Sequence, residues 1–369
     1  MPEKSLLFLP DISGFTEFVN ETEISHSRHM ISELLETIIE SDALGMRVSE
    51  IEGDAVVFFL KGRVPDLGEI LDQARKTFEA FHAHLNRYER DRICPCGACQ
   101  TAHQLSLKFV AHGGPIETLR VQEFEKPFGS DVILAHRLLK NRVQDSEYLL
   151  VTDDLPEAGG ELPGWAKLIP GSSVYDTLGE ISYRHVPLGT LKDNLPEQPA
   201  RPKTARGTHS VSSTIYVPLP LAETFELVSN FDLRLLWTKG VDELIYDPGK
   251  INRTGTRHQC VIDGDIVHFE TVTDDRGPGR LVYGERILGA MPVLDPTLYY
   301  TLEEEGEGTR LEAELQYRPK PFPRSIFAIP FGRIFKKQLP RSLASIAKVA
   351  AKGFDHPESP TPPEKETQT

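Results

Sequence analysis

The chain has 369 residues, 39% of them apolar and 26% charged; this exceeds what one hydrophobic core usually holds, so two domains of about 150 to 190 residues are expected. The formal net charge of −14 argues against a general nucleic-acid binder, because affinity for phosphate backbones comes from clustered Lys and Arg that displace counterions. No apolar run approaches the roughly 18 residues of a membrane helix, and Met1-Pro2-Glu3-Lys4 leads straight into a strand-like run, so no membrane insertion, no signal peptide and a cytoplasmic location are expected.

Residues 5 to 10 read as a strand, ended by the turn chemistry of Pro10-Asp11 and Ser13-Gly14. Ile24, Ile31, Leu34, Leu35 and Ile38 recur at helical spacing, which predicts a helix from about Ser25 to Ser41. Two apolar runs, Leu44 to Ile51 and Ala55 to Leu60, hinge at Glu52-Gly53 and predict a hairpin with Asp54 at its mouth. A helix over Leu67 to Arg90 follows. Leu105 to His112 alternates as a strand, Gly113-Gly114-Pro115 reads as a turn, and Ile116 to Phe124 as the returning strand. Asp131 to Asn141 reads as a helix and Tyr148 to Thr152 as a strand. This order predicts an α+β domain over 1–191, its helices covering one face of an antiparallel-rich sheet. Residues 192–208, with Pro196, Pro199 and Pro202 among charged residues, read as a linker.

A second α+β domain is expected over 209–353. It begins with strand Val211 to Val217 and helix Leu221 to Val228. Five or six strands in an antiparallel meander follow, then a closing helix within Ile326 to Val349 that Pro330 and Pro340 must break or kink. Residues 354–369, rich in Pro, Glu, Ser and Thr, have nothing to bury and are expected to be disordered.

Asp11 follows the first strand and Asp54 sits at the hairpin joint. If the two strands are neighbours, both carboxylates meet over one sheet edge, where a hard cation would find oxygen ligands. An Asp before Gly is also a common turn former or helix cap, and spacing alone does not separate these roles. The motifs go further. Phe8-Leu9-Pro10-Asp11-Ile12-Ser13-Gly14-Phe15-Thr16 resembles the opening motif of class III adenylyl and guanylyl cyclases, and Glu50 to Phe58 looks like their second metal motif. Phe109 to Ile116 and Gly129 to Leu138 are similar to the strand and catalytic helix that follow, so the resemblance covers about residues 5 to 155 with four motifs in order. The front half also resembles the uncharacterised bacterial DUF2652 group, through the run Ala135 to Asn141.

The resemblance implies a ferredoxin-like cyclase domain in which Mg2+ or Mn2+ ions on Asp11, Asp54 and the Ile12 carbonyl hold a nucleoside triphosphate, with Phe15 and Thr16 beside it. One ion would lower the pKa of the ribose 3′-hydroxyl, which attacks the α-phosphorus and expels pyrophosphate. Arg137 matches the arginine that stabilises the transition state from the partner subunit, which implies a homodimer with shared sites. Two positions depart from the family pattern. Ile133 stands where the family has a ribose-orienting Asn, and it cannot hydrogen-bond. Glu50 matches the guanine-type base-selecting position, while its usual partner position holds Lys126, which could meet a guanine oxygen or pair with Glu50 and close the pocket. Two readings follow: a cyclase making a 3′,5′-cyclic nucleotide, or a catalytically inactive module that binds nucleotide or a protein.

Cys94, Cys96 and Cys99, with His103 four residues on, supply four ligands within ten residues, suited to a tetrahedral Zn2+ site or left as a reduced loop; the spacing leaves both open. Cys260 reads as a small buried hydrophobe. Residues 209 to 353 resemble, in element order more than in motif, the helix-grip (SRPBCC) domains of the polyketide cyclase, START and Bet v 1 type. This implies a cavity for a small hydrophobic ligand, with Trp237, Phe269, Tyr283 and Tyr299 as candidate walls or plain core. No catalytic constellation is legible in this half.

Overall fold

The computed structural model describes residues 3–21, 24–176, 178–197, 207–274, 279–289 and 291–354. Apart from Phe354, the expected tail lies outside these residues, as does most of the expected linker. The chain forms two compact units, one of Met1–Glu89 with Gln100–Pro199, the other of Arg90–Cys99 with Ala200–Thr369. The division thus assigns the cysteine segment to the second unit.

The first unit runs β1 (Glu3–Ser13), α1 (Phe15–Glu21), α2 (Ile24–Glu40), β2 (Arg47–Glu52), β3 (Ala55–Leu60), α3 (Leu67–Asp91), α4 (Gly97–Thr101), β4 (Ser106–Val121), β5 (Phe124–Phe128), α5 (Ser130–Leu138), β6 (Tyr148–Thr152), β7 (Ile169–Tyr175) and β8 (Gly179–Pro187); α3 ends and α4 begins in the segment that belongs with the second unit. Its sheet has the order β2-β3-β1-β4-β6-β8-β7, with β5 on β4. The β1-helix-β2-β3-α3-β4 stretch is therefore a ferredoxin-like core with β1 at its centre. Among the described residues only β4 and β6 pair in parallel.

Two features differ from the sequence expectation. Gly113-Gly114-Pro115 does not turn the chain: β4 continues through all three, opposite Leu6, Ser5 and Lys4 of β1. The reversal comes later, at Gln122, whose φ is 56°. The glycines serve packing instead. A Cβ on Gly114 would lie 2.3 Å from Asp131 Oδ1, and one on Gly113 would lie 2.8 Å from Val64. The sheet is also covered more fully than by helices on one face, since β1 is buried on both of its faces from Ser5 to Pro10. Leu7, Leu9, Val57 and Val110 meet Ala135 and Leu138 of α5, while Phe8, on the alternate face, packs against Phe58 and Phe109.

The second unit comprises β9 (His209–Val217), α6 (Leu221–Ser229), α7 (Arg234–Trp237), β10 (Glu243–Ile245), β11 (Arg257–Ile262), β12 (Asp265–Val272), β13 (Arg280–Leu288), β14 (Val293–Glu305), β15 (Gly308–Pro319) and α8 (Ala328–Lys352). Its antiparallel sheet has the order β10-β11-β12-β13-β14-β15-β9, and α8 packs against β9 and β15. This is the α+β helix-grip arrangement. The prolines do not break the closing helix: Pro330 sits in the first turn, where an N–H has no intrahelical acceptor, and α8 continues past Pro340. Leu339, Leu343 and Ile346 are buried on either side of it, and that burial holds the helix together across the missing hydrogen bond.

Candidate functional sites

Asp11 and Asp54 converge. β1 and β3 are adjacent, Asp11 pairs with Ala55, and the Ile12 N–H donates to the Asp54 carbonyl at 3.1 Å. Both carboxylates are half-buried. Burial, and then the nearby Asp11 charge, push the Asp54 carboxyl above its ordinary 3.8. Two like charges sharing a partly desolvated edge are what a bound cation would relieve. Lys108, cross-strand from Asp11 on β4, already supplies part of that relief, with Nζ 2.9 Å from Asp11 Oδ2. Two carboxylates and one ammonium leave a net negative charge that fits a divalent ion.

The other cyclase-like positions surround this edge unevenly. Gly14, with φ 89°, ends β1 and lets α1 begin with half-buried Phe15 and exposed Thr16. Arg137 and Ile133 lie four residues apart on α5, both exposed, Ile133 at 56%. The helix is fixed by a buried relay: His112 reaches Thr152 Oγ1 at 2.8 Å through Nδ1 and Asp131 Oδ1 at 3.0 Å through Nε2. Glu50 and Lys126 are not an ion pair among the described residues. Glu50 groups with Glu52 and His136, and His136 lies 3.3 Å from Glu52. Exposed Lys126 lines a small cleft with Arg47, Ser49, Lys61 and Glu125. The structure therefore does not pair the two expected base-selecting residues.

The cysteine motif divides. The Sγ atoms of Cys94, Cys96 and Cys99 all lie within 4.8 Å of one another, whereas His103 is exposed, outside this group, and in the other compact unit. The expected four-ligand set thus becomes a triad. The Cys94 thiol is held strongly protonated by hydrogen bonding to Cys96 and Cys99 and by burial; three sulfurs this close cannot all ionise without a cation among them.

In the second unit Trp237 and Tyr283 are buried. The Trp237 indole N–H donates to the Leu227 carbonyl at 2.8 Å, and its ring meets Tyr300 edge-on. Tyr299 departs from the expected set: because Tyr283 pairs with Tyr300, Tyr299 points to the opposite sheet face, against Val272 and Val282. Phe269 is half-buried and stacks on His258 with centroids 5.1 Å apart.

Around these rings lies a polar cluster that sequence reasoning missed. Arg234 donates to Glu285 Oε2 at 2.5 Å, Tyr283 donates to Glu285 Oε1 at 2.6 Å, and His258 Nε2 lies 3.4 Å from the same oxygen. All four side chains are buried, and the Arg234 guanidinium lies 4.5 Å over the Trp237 ring. Burial disfavours the charged Glu285, but Arg234 and His258 overcome it and hold the carboxyl below its usual range. Burial pushes His258 down to about 4, so the ring is neutral at pH 7. Among the described residues, Arg234 Nε and Nη1 and both His258 nitrogens have no hydrogen-bond partner. The parity of Tyr283 and Glu285 on one strand was the available signal; the partners stand 51 and 27 residues away in the chain.

Comparison with known proteins agrees with this two-part architecture. Residues 31–148 match the family described as "Protein of unknown function (DUF2652)", and residues 208–351 match "Polyketide cyclase / dehydrase and lipid transport". The chain belongs to the DUF2652 family. Uncharacterized protein Rv2561/Rv2562 of Mycobacterium tuberculosis is 34% identical over 161 residues, 43% of this chain and 74% of that protein. Among solved structures, the catalytic core of a rhodopsin-guanylyl cyclase with converted specificity, in complex with ATPalphaS, is 17% identical and covers 50% of this chain and 96% of its own (TM-score 0.34). A bacterial light-regulated adenylyl cyclase is 16% identical over 50% of this chain and 91% of its own (TM-score 0.37). Protein MLL2253 from Mesorhizobium loti is 16% identical over 40% of this chain and 100% of its own (TM-score 0.30). Among the described residues no helix is long and apolar enough to cross a membrane.

Proposed function

We propose that the first unit binds a nucleoside triphosphate through a divalent cation, Mg2+ or Mn2+, held by Asp11, Asp54 and the Ile12 carbonyl. The supporting observation is the convergence of the two carboxylates at one edge of the central strands, with Asp54 pushed above its ordinary pKa by burial and by Asp11. When bound, such an ion neutralises phosphate oxygens and acidifies a coordinated hydroxyl. The chain's own contribution is to hold the two carboxylates together and to temper their charge with Lys108. At the ribose position Ile133 offers no hydrogen bond, so the geometry favours nucleotide binding over rapid turnover.

A second reading, slow formation of a 3′,5′-cyclic nucleotide in a homodimer, draws support from Arg137, which is exposed and free to enter a partner's site. Phe124, 69% exposed on the β4–β5 hairpin, together with exposed Val121, Phe128 and Ile133, would be covered in such a dimer. For the second unit we propose a small apolar ligand in the cleft lined by Tyr246, His258, Phe269 and Leu288, with His258, backed by Arg234 and Glu285, as its polar anchor. Arg234 and Glu285 already balance in charge, so a ligand carrying a neutral hydrogen-bonding oxygen suits this anchor better than a carboxylate, which would sit beside Glu285 at low dielectric.

Incubation of the protein with each nucleoside triphosphate and Mn2+ separates the two readings of the first unit. Saturable, Mn2+-dependent binding without cyclic product is the expected result. Product that vanishes in Asp54→Ala would establish turnover, and product gained in Ile133→Asn would trace its absence to the ribose contact. Absence of Mn2+-dependent binding for every nucleotide refutes the proposal.

A further inference from the structure

We infer that Cys94, Cys96 and Cys99 are three of the four ligands of a zinc ion that pins the segment between α3 and β4. The argument is geometric. A tetrahedral site with zinc–sulfur bonds of about 2.3 Å separates its sulfurs by roughly 3.8 Å. The three Sγ atoms lie within 4.8 Å of one another, so side-chain movements of about an ångström or less bring all three onto one ion. The sulfurs come together although the segment is only six residues long, because the chain folds tightly back on itself: the Cys96 N–H points at Cys94 Sγ at 3.3 Å, and the Cys99 N–H at Cys96 Sγ at 3.4 Å. Backbone donors aimed at sulfur stabilise thiolate over thiol, and a metal ligand must be thiolate.

The surroundings suit a structural role. Cys94 and Cys99 are buried and Cys96 is half-buried. Ile93 and Ala98, their neighbours in the chain, are also buried. The Arg92 guanidinium closes the segment on itself by donating to the Cys99 carbonyl at 3.2 Å, and just ahead of the motif the Asp91 carbonyl accepts from the Thr254 N–H at 2.9 Å. Soft thiolates in a closed, small-radius site select zinc among the common divalent ions. The fourth ligand is a nitrogen or oxygen donor. His103 lies outside the triad and is exposed, and Cys260, the one other cysteine of the chain, sits on β11 outside it.

The full-length protein, purified under reducing conditions without chelator, is expected to carry one zinc per chain. Removal with a chelator should expose three additional thiols to a thiol-reactive dye, and refilling with Co2+ should give a thiolate-to-metal charge-transfer band with a tetrahedral d–d envelope. X-ray absorption should report three sulfurs and one light donor. The Cys260→Ser variant is expected to keep the ion, and Cys94→Ser and Cys99→Ser to bind it at least a hundredfold more weakly. Should those variants fail to fold, the decisive measurement is zinc titration of reduced, metal-stripped wild-type protein against a chromophoric chelator. No uptake there, a four-sulfur shell, or full zinc retention in a folded triple Cys94/Cys96/Cys99→Ser variant would each overturn the assignment.

Discussion

As pH falls below 7, acid should weaken the second unit first through His258. An unfolded histidine titrates at 6.5, whereas burial lowers His258 to about 4 in the folded unit. As pH falls, the unfolded chain therefore takes up the proton first. The stability tied to this ring is complete above pH 6.5, declines between 6.5 and 4, and levels off below 4. With one pKa unit worth 1.36 kcal/mol, the loss reaches about 2 kcal/mol at pH 5 and about 3 kcal/mol at pH 4. For a unit of this size, the loss at pH 5 lowers the melting temperature by about 4 to 8 °C. The chain has two tryptophans, so a Trp165→Phe background leaves Trp237, buried beside Arg234 in the same cluster, as the reporter of this unit's unfolding. His258→Phe, set between Phe231 and Phe269, removes the proton site and keeps an aromatic ring. Its transition should lose about 2 kcal/mol less than that of the parent between pH 7.5 and 5. Equal losses in both proteins refute the reasoning.

Other outcomes follow from the same contacts. Gly114→Ala places a methyl 2.3 Å from Asp131 Oδ1, which should break the His112–Asp131 contact and destabilise the first unit by about 1 to 3 kcal/mol in chemical denaturation. Arg234→Met strands the buried Glu285 and should cost about 3 to 5 kcal/mol, while Arg234→Met with Glu285→Gln should recover most of it in the same assay. Lys108→Met removes the ammonium 2.9 Å from Asp11 and should tighten Mn2+ binding about tenfold by calorimetry, since a charge at this range is worth on the order of 1 to 2 kcal/mol. Because the Asp54 carboxyl is raised, Mn2+ affinity should begin to fall at a higher pH than an aspartate of ordinary pKa 3.8 would dictate.

The order of elements in the first unit, and the approach of Asp11 to Asp54, were legible because turn residues flank short apolar runs and set which strands can pair. Gly113-Gly114-Pro115 misled because glycine has two uses: here it admits the Asp131 side chain against an extended strand instead of reversing the chain. The β7–β8 hairpin left little trace in the sequence, since β7 carries Pro170, Gly171 and two serines among few apolar residues. Tyr299 and Tyr300 illustrate a further limit. Adjacent strand residues must face opposite ways, and only the pairing of Tyr300 with Tyr283 shows which one faces inward. His103 stood at a plausible ligand spacing, yet spacing carries no information about the division between Cys99 and Gln100 that separates it from the triad. The Arg234–Glu285 pair joins positions 51 residues apart, a contact that exists only once the sheet has formed.

The central claim concerns Asp11 and Asp54, and manganese titration followed by electron paramagnetic resonance in the presence of saturating nucleoside triphosphate tests it most directly. The account predicts protein-dependent loss of the free-ion signal in the wild type, and none beyond the nucleotide's own in Asp11→Ala or Asp54→Ala proteins that remain folded. Undiminished uptake in either variant, or none in the wild type, would contradict it.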